Sequence, residues 1–336
     1  MRSLVVSKKE QSLKSARPTH RAHSFCLSLS AADARMQILQ QLVNGISLGA
    51  IYALIALGYT MIYGVLRFIN FAHGDVFMVG SYVGYFAATA WVNQFFPVGS
   101  LPSTILVFLL SMAICAALGA TIEFLAYRPL RSRPKLTVLI TAIGVSLFLE
   151  YTGQLVFGAN PRGFPAIISD KPLVHTGAVT ISTVGVVVIA VSLVLMLALR
   201  IIVMNTKIGT AMRAVSHSQQ AASLMGINIS RVITFTFIIG SALAGAGGVL
   251  YGTQYPSIEP LMGILPGLKA FVAAVLGGIG SIPGAALGGM IIGLVETFVS
   301  GTGASTYRDA IAFAILIAIL VFRPSGLLGS REIEKV

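Results

Sequence analysis

Apolar residues gather into long runs at about 38–63, 68–90, 103–126, 136–157, 179–204, 231–254, 267–299 and 308–322, separated by short polar connections. Roughly 20 helical residues cross a hydrocarbon core of about 30 Å. The pattern therefore predicts an all-α polytopic membrane protein with about eight membrane segments. The seventh run is too long for one crossing. It is interrupted by GGIGSIPGAALGG, Gly277 to Gly289, where glycines and Pro283 favour two half-helices or a re-entrant turn. Backbone broken at membrane depth must face protein or a water-filled cavity, because lipid offers no hydrogen-bond partner.

The connections set the orientation. YRPLRSRPK (Tyr127 to Lys135) carries basic residues and no acid, and the 200–231 connection carries Arg200, Lys207, Arg213 and Arg231, again with no acid. Both are expected on the cytoplasmic side. The 158–178 loop, one crossing away from each, is expected outside. For the start of the chain two readings stand: counting crossings puts it outside, whereas a basic tail prefers the inside.

Composition supports the membrane class. Of 336 residues 56% are apolar, 10% are charged and 35 are glycine. The net charge of +12 resides largely in residues 1–35, with seven Lys/Arg against two acids, and in the short loops. That distribution fits membrane topology and contact with lipid, and argues against nucleic acid as a partner. Two domains of different character follow: a basic, disordered extension over 1–35, with Met36 as the expected working start, and a single permease domain over 36–336. Cys26 and Cys115 form neither a disulfide framework nor a metal cluster.

The chemistry of an enzyme is missing from the sequence. It contains no H-E-x-x-H, no G-x-S-x-G and no cluster of Cys and His. It also lacks G-x-x-x-x-G-K-[ST], so no cofactor is expected in this chain, and if ATP drives transport it must be bound by partner subunits.

Candidate ionisable groups within the apolar runs are Asp75, Glu123, Glu150 and Glu296, with His73 beside the first. Each is a candidate, since charge in a membrane is costly unless it serves a purpose. Glu123 and Glu150 fall near segment ends and read equally as interfacial charges. The stretch NFAHGD places Asn70, His73 and Asp75 around Gly74. It suits a helix break aimed at a substrate path, with Asp75 holding His73 or capping the next helix and Asn70 facing the cavity. The plainer alternative is a polar interhelical turn. Gly277, Gly278 and Gly280 in the seventh-run break are the other candidate lining. Small residues Gly240, Ala244, Gly248 and Gly252 recur every fourth position and predict close helix packing.

The stretch RAVSHSQQAASLMGINISR, Arg213 to Arg231, is too polar to cross. Ser216 with Gln219 three residues on reads as a capping box, and Gly226 sits where a C-cap belongs. The spacing predicts a cytoplasmic helix of about nine residues, His217 to Met225, with Ala221, Leu224 and Met225 as a small apolar face. So short a helix is marginal alone and needs a packing partner.

Taken with QQLVNGISLGAIYALIALGYTMIYGVLRFINFAHGDVFMVGSYVGY (Gln40 to Tyr85), AVLGGIGSIPGAALGG (Ala274 to Gly289) and RPSGLLG (Arg323 to Gly329), this segment closely resembles the LivH-type permeases of branched-chain amino acid ABC importers. The resemblance runs from about Met36 to the C-terminus. It implies an inner-membrane permease that pairs with a related second permease, two cytoplasmic ATPase subunits and a periplasmic substrate-binding protein. It also implies that Arg213, His217, Gln219, Gln220, Ala221, Ala222, Leu224 and Gly226 form the coupling element seated on an ATPase. Two positions depart from the family: His217 and Ser218 stand where an acid is frequent, and Asp75 stands where Glu is more common. Two alternatives remain: a related urea or short-chain amide permease, and, outside the class, an ion-coupled secondary transporter.

Overall fold

The computed structural model describes residues 20–329 apart from 98, 132, 177–178, 303 and 324. Residues 1–19 of the expected extension lie outside the described residues. Helix α1, His20–Leu66, runs without a backbone break through the expected boundary at Met36. Seven described segments are long and apolar enough to cross a membrane: Arg35–Leu66, Leu101–Leu130, Lys135–Phe157, Thr183–Asn205, Ile229–Gln254, Ile282–Ser300 and Ser305–Phe322.

The difference from eight runs arises at the second, which yields α2, His73–Phe86, continued by a π turn over Ala87–Trp91; the seventh yields one span, Ile282–Ser300, preceded by the shorter α9, Ile264–Gly277. Both α2 and α9 have 14 residues, so each is about 21 Å long and too short for the hydrocarbon core by itself. The break before α2 is made by Arg67, a non-glycine residue with φ of 56° that ends α1 and reverses the chain. The break after α9 is confined to residues 278–281, not the whole of 277–289. Ser281 accepts a hydrogen bond from the Gly284 amide and Pro283 occupies the first turn, so α10, Ile282–Ser300, starts cleanly and runs its full length.

The intervening helices are α3 (Leu101–Ile122), α4 (Lys135–Phe157), α5 (Thr183–Asn205), α6 (Lys207–His217), α7 (Gln219–Leu224) and α8 (Ile229–Gln254); α11 (Arg308–Phe322) follows α10. Caps follow the sequence rules: Ser100, Ser182 and Asn228 each accept an amide three residues on. Strand β1 (Arg162–Gly163) pairs antiparallel with β4 (Ser257–Ile258), and β2 (Pro172–Thr176) with β3 (Val179–Ser182).

Burial separates the centre from the lipid face. In their most apolar stretches α1 is 94% and α8 72% buried, against 22% for α5 and 6% for α11. The central helices approach through small residues, as close packing in lipid requires. On α10, Gly289 and Gly293 lie against Ala53 and Gly49 of α1, and on α8, Gly248 lies against Phe77 and Ser81 of α2. The small-residue stripe of α8 is therefore packing surface, as its spacing predicts.

Tertiary contacts also choose between the two orientations of α1. The Thr180 amide donates to Gln40 Oε1 at 2.8 Å, which puts the start of the α1 span on the same side as the 158–182 loop. At its other end Gln219 Nε2 donates to the Val65 carbonyl at 3.2 Å, on the side of the basic connections. Counting crossings, not tail charge, gives the arrangement.

Candidate functional site

The polar stretch after α1 folds back into the helix bundle. Asn70 is buried, and Tyr127 Oη donates to its Oδ1 at 2.5 Å. Asn70 thus braces the end of α3 and is not free to face a cavity. Asp75 accepts from Ser146 of α4 and does not hold His73. The His73 ring is fully buried, edge-on to Tyr59 with ring centres 4.7 Å apart and directly over Gly58. Its nitrogens meet no hydrogen-bond partner among the described residues. The three residues stay close in space, each with its own structural contact.

At Gly74 two half-helices meet. A Cβ on Gly74 would strike the Gly263 carbonyl and Gly267, and one on Gly263 would strike the Gly74 backbone. The N-terminal ends of α2 and α9 therefore abut, and only glycine permits that approach. The junction lies beside a cavity of about 190 Å³ lined by Asp75, Ser146, Glu150 and Tyr59. Asp75 in the first turn of α2 answers the positive end of that helix.

Gly277, Gly278 and Gly280 are not part of this group. They lie at the opposite end of α9, where Gly278 and Gly280 have φ of 105° and 92°. The C-terminal loop covers Gly277 and Gly278 but not the exposed Gly280: the Leu327 and Leu328 amides donate to the carbonyls of Leu276 and Gly277, each at 2.9 Å. Gly280 borders a cavity of about 600 Å³ with Arg67, Lys135 and Ser216, on the side of the basic connections.

A third feature escaped the sequence reading. Lys269, on α9, is 3% exposed, and its Nζ lies 2.6 Å from both Glu296 Oε1 of α10 and Asp309 Oδ1 at the start of α11. Tyr52 Oη of α1 donates to Glu296 Oε2 at 2.8 Å. Four helices thus meet at one ionic cluster. It forms part of the wall of a cavity of about 680 Å³ that reaches Gln41, Gln254 and Ser257, on the side of the 158–182 loop. The available signal was a lysine in the same apolar run as Glu296, since a charge at membrane depth needs an opposite one to be tolerated. Glu123, by contrast, is an edge anchor: it pairs with Arg131 and accepts from Thr234 Oγ1 at 2.6 Å.

The polar connection forms two helices where one is expected. Ser216 lies inside α6, and the cap is Ser218, whose Oγ accepts the Ala221 amide at 3.2 Å. The predicted helix from His217 to Met225 is therefore broken at Ser218, whose extended backbone (φ −154°) ends α6 and starts α7. Arg213 belongs to α6, where it reaches the Met204 carbonyl. Gly226, with φ of 78°, closes α7: its amide reaches the Ser223 carbonyl and that of Ile227 the Ala222 carbonyl, each at 3.0 Å. Ala222 faces inward at 3% exposure and Gln219 is tied to α1, while Gln220 and Ala221 are exposed and Leu224 and Met225 stand out at 87% and 82%. The free apolar surface of this segment is its C-terminal tip, Leu224 and Met225.

Comparison with known proteins places this arrangement. The sequence profile of the family described as "Branched-chain amino acid transport system / permease component" matches residues 41–320. The chain is 43% identical over 302 residues to the high-affinity branched-chain amino acid transport system permease protein BraD of Pseudomonas aeruginosa, covering 89% of this chain and 98% of that protein. It is 43% identical over 304 residues to LivH of Escherichia coli K12, of the same description, covering 90% and 98%. A probable branched-chain amino acid transport permease of Methanocaldococcus jannaschii is 31% identical over 82% of this chain and 88% of its own length. No solved structure matches the chain. Bundle, polar cavities and matched length agree: this multi-pass inner-membrane protein is a transport permease and not an enzyme, and it belongs to the branched-chain amino acid transport system permease family.

Proposed function

We propose that this chain is the membrane-spanning subunit of an ABC importer that moves branched-chain aliphatic amino acids inward. The observation that carries the reading is the near end-to-end match to permeases named for that substrate. A periplasmic binding protein delivers the amino acid to the cavity on the 158–182 side, and two cytoplasmic ATPase subunits bind ATP and supply the work. A related second permease completes the translocation unit.

The geometry supports a seat for the ATPase at α6 and α7. These helices carry no acid, lie beside the end of α1, and present Leu224 and Met225 to the outside. Apolar tips of this kind suit insertion into a groove of a partner. Motion imposed there passes to α1 through the contacts of Gln219 with Val65 and of Arg67 Nη2 with the Ser216 carbonyl at 3.3 Å.

The test is reconstitution of this chain with its ATPase, partner permease and binding protein in proteoliposomes. ATP-dependent uptake of leucine, with competition by isoleucine and valine and none by urea, is the expected result. Uptake of urea with no amino acid transported overturns the substrate reading, and uptake by this chain alone under an ion gradient overturns the ABC reading.

A further inference from the structure

The cavity on the 158–182 side ends at charges of both signs. Lys269 and Arg308 supply two cations and Glu296 and Glu259 two carboxylates on its wall, and Asp309 stands next to Lys269 as an ion-pair partner of its ammonium group. Lys269 Nζ has three donors; one goes to Glu296 Oε1, and Asp309 Oδ1 lies within ion-pair distance at 2.6 Å. Tyr52 holds the second oxygen of Glu296, so that carboxylate is fixed, whereas the Asp309 side chain is 34% exposed and can be approached. Apolar side chains of Leu48, Leu261 and Leu265 border the same space. A ring of one sign would repel half of any zwitterion; paired opposite charges beside an apolar wall match both its head and its tail.

We propose that Lys269 and Asp309, supported by Glu296, form a transient subsite for the zwitterionic head of an aliphatic α-amino acid, Lys269 taking the carboxylate and Asp309 the ammonium group. The incoming carboxylate replaces Asp309 as a partner of Lys269, and the released Asp309 carboxylate takes the ammonium, so no buried charge is left alone during the exchange. Because Lys269 sits on the half-helix α9, whose N-terminal end abuts α2 at Gly74, occupancy of the subsite acts on the mid-membrane junction. The proposal rests on the reading that the solute is an amino acid.

The complete transporter, with its partner permease, ATPase subunits and binding protein, tests it. The paired variant Lys269→Met with Glu296→Gln removes one charge of each sign. Normal complex yield and normal stimulation of ATP hydrolysis by the loaded binding protein are expected, with leucine uptake lowered at least tenfold. Full uptake by that variant overturns the subsite, and loss of stimulated hydrolysis in step with uptake overturns it in favour of a purely mechanical tie. Should the paired variant not assemble, thiol labelling of Asn44→Cys on the cavity wall, in a Cys26→Ser background, decides. Leucine should slow the labelling, whereas 4-methylpentanoate and 3-methylbutylamine, each with one of the two charges, should not. Equal protection by either analogue, or none by leucine, overturns the proposal. A wild-type complex that imports another solute and no amino acid refutes the substrate reading itself; unchanged leucine uptake in the paired variant refutes this subsite alone.

Discussion

Tyr127 Oη donates a 2.5 Å hydrogen bond to Asn70 Oδ1, joining the π turn that continues α3 (Glu123–Tyr127) to the loop that leads into α2. Both groups are buried. Replacing Asn70 by Leu leaves the phenol unpaired, at a cost of about 1–3 kcal/mol, whereas removing both partners is nearly neutral. Asn70→Leu is therefore expected to lower the thermal stability of the purified permease, and addition of Tyr127→Phe to restore most of it. An Asn70→Leu variant of wild-type stability with slowed uptake would return Asn70 to the substrate path.

The contact of α2 with α9 depends on Gly74 and Gly263. A Cβ at either position collides with backbone of the other helix, which cannot rotate away as a side chain does. Gly263→Ala should cost about 1–3 kcal/mol as overpacking, and Gly263→Val more. Yield and melting temperature in detergent measure this, and a Gly263→Val protein as stable as wild type would refute the abutting half-helices.

On the cytoplasmic side Leu224 and Ala222 should behave differently. Leu224→Asp alters only the exposed tip, so the permease should purify normally and lose co-purifying ATPase subunits. Ala222→Asp buries a carboxylate and should lower the stability of the permease itself. Ser218→Ala removes the cap of α7 and should cost about 1 kcal/mol, with a milder loss of coupling. Co-purification separates these outcomes, and retention of the ATPase by Leu224→Asp rules out the tip as its seat.

Glu123 is fully buried beside an Arg131 whose side chain is 20% exposed. Arg131→Ala strands a buried carboxylate, while Glu123→Ala leaves a cation that can turn toward water. The first variant should be the less stable by about 1 kcal/mol or more in thermal unfolding, reflecting the cost of a lone buried charge. The reverse order would show that Glu123 reaches water.

The sequence by itself determined the class, the placement of most helices and the grouping of the basic connections at one end of the bundle, because membrane length, apolarity and Lys/Arg bias act locally along the chain. Gly226 as a terminator and the glycine spacing of α8 were legible for the same reason, since each depends on neighbouring residues. The true cap of α7 was not: Ser216 and Ser218 both satisfy the local pattern, and only the end of α6 at His217 selects the second. The role of Gly277 and Gly278 was decided by the C-terminal loop that folds over them from residues 327–328, far along the chain. Lys269 is the sharpest case. It shares its run with Glu296, but 27 residues separate the two and 40 separate it from Asp309, which leaves the three on different helices. Burial of a charge can be judged only when its counter-charge is in place, and packing of α9 against α10 and α11 puts it there.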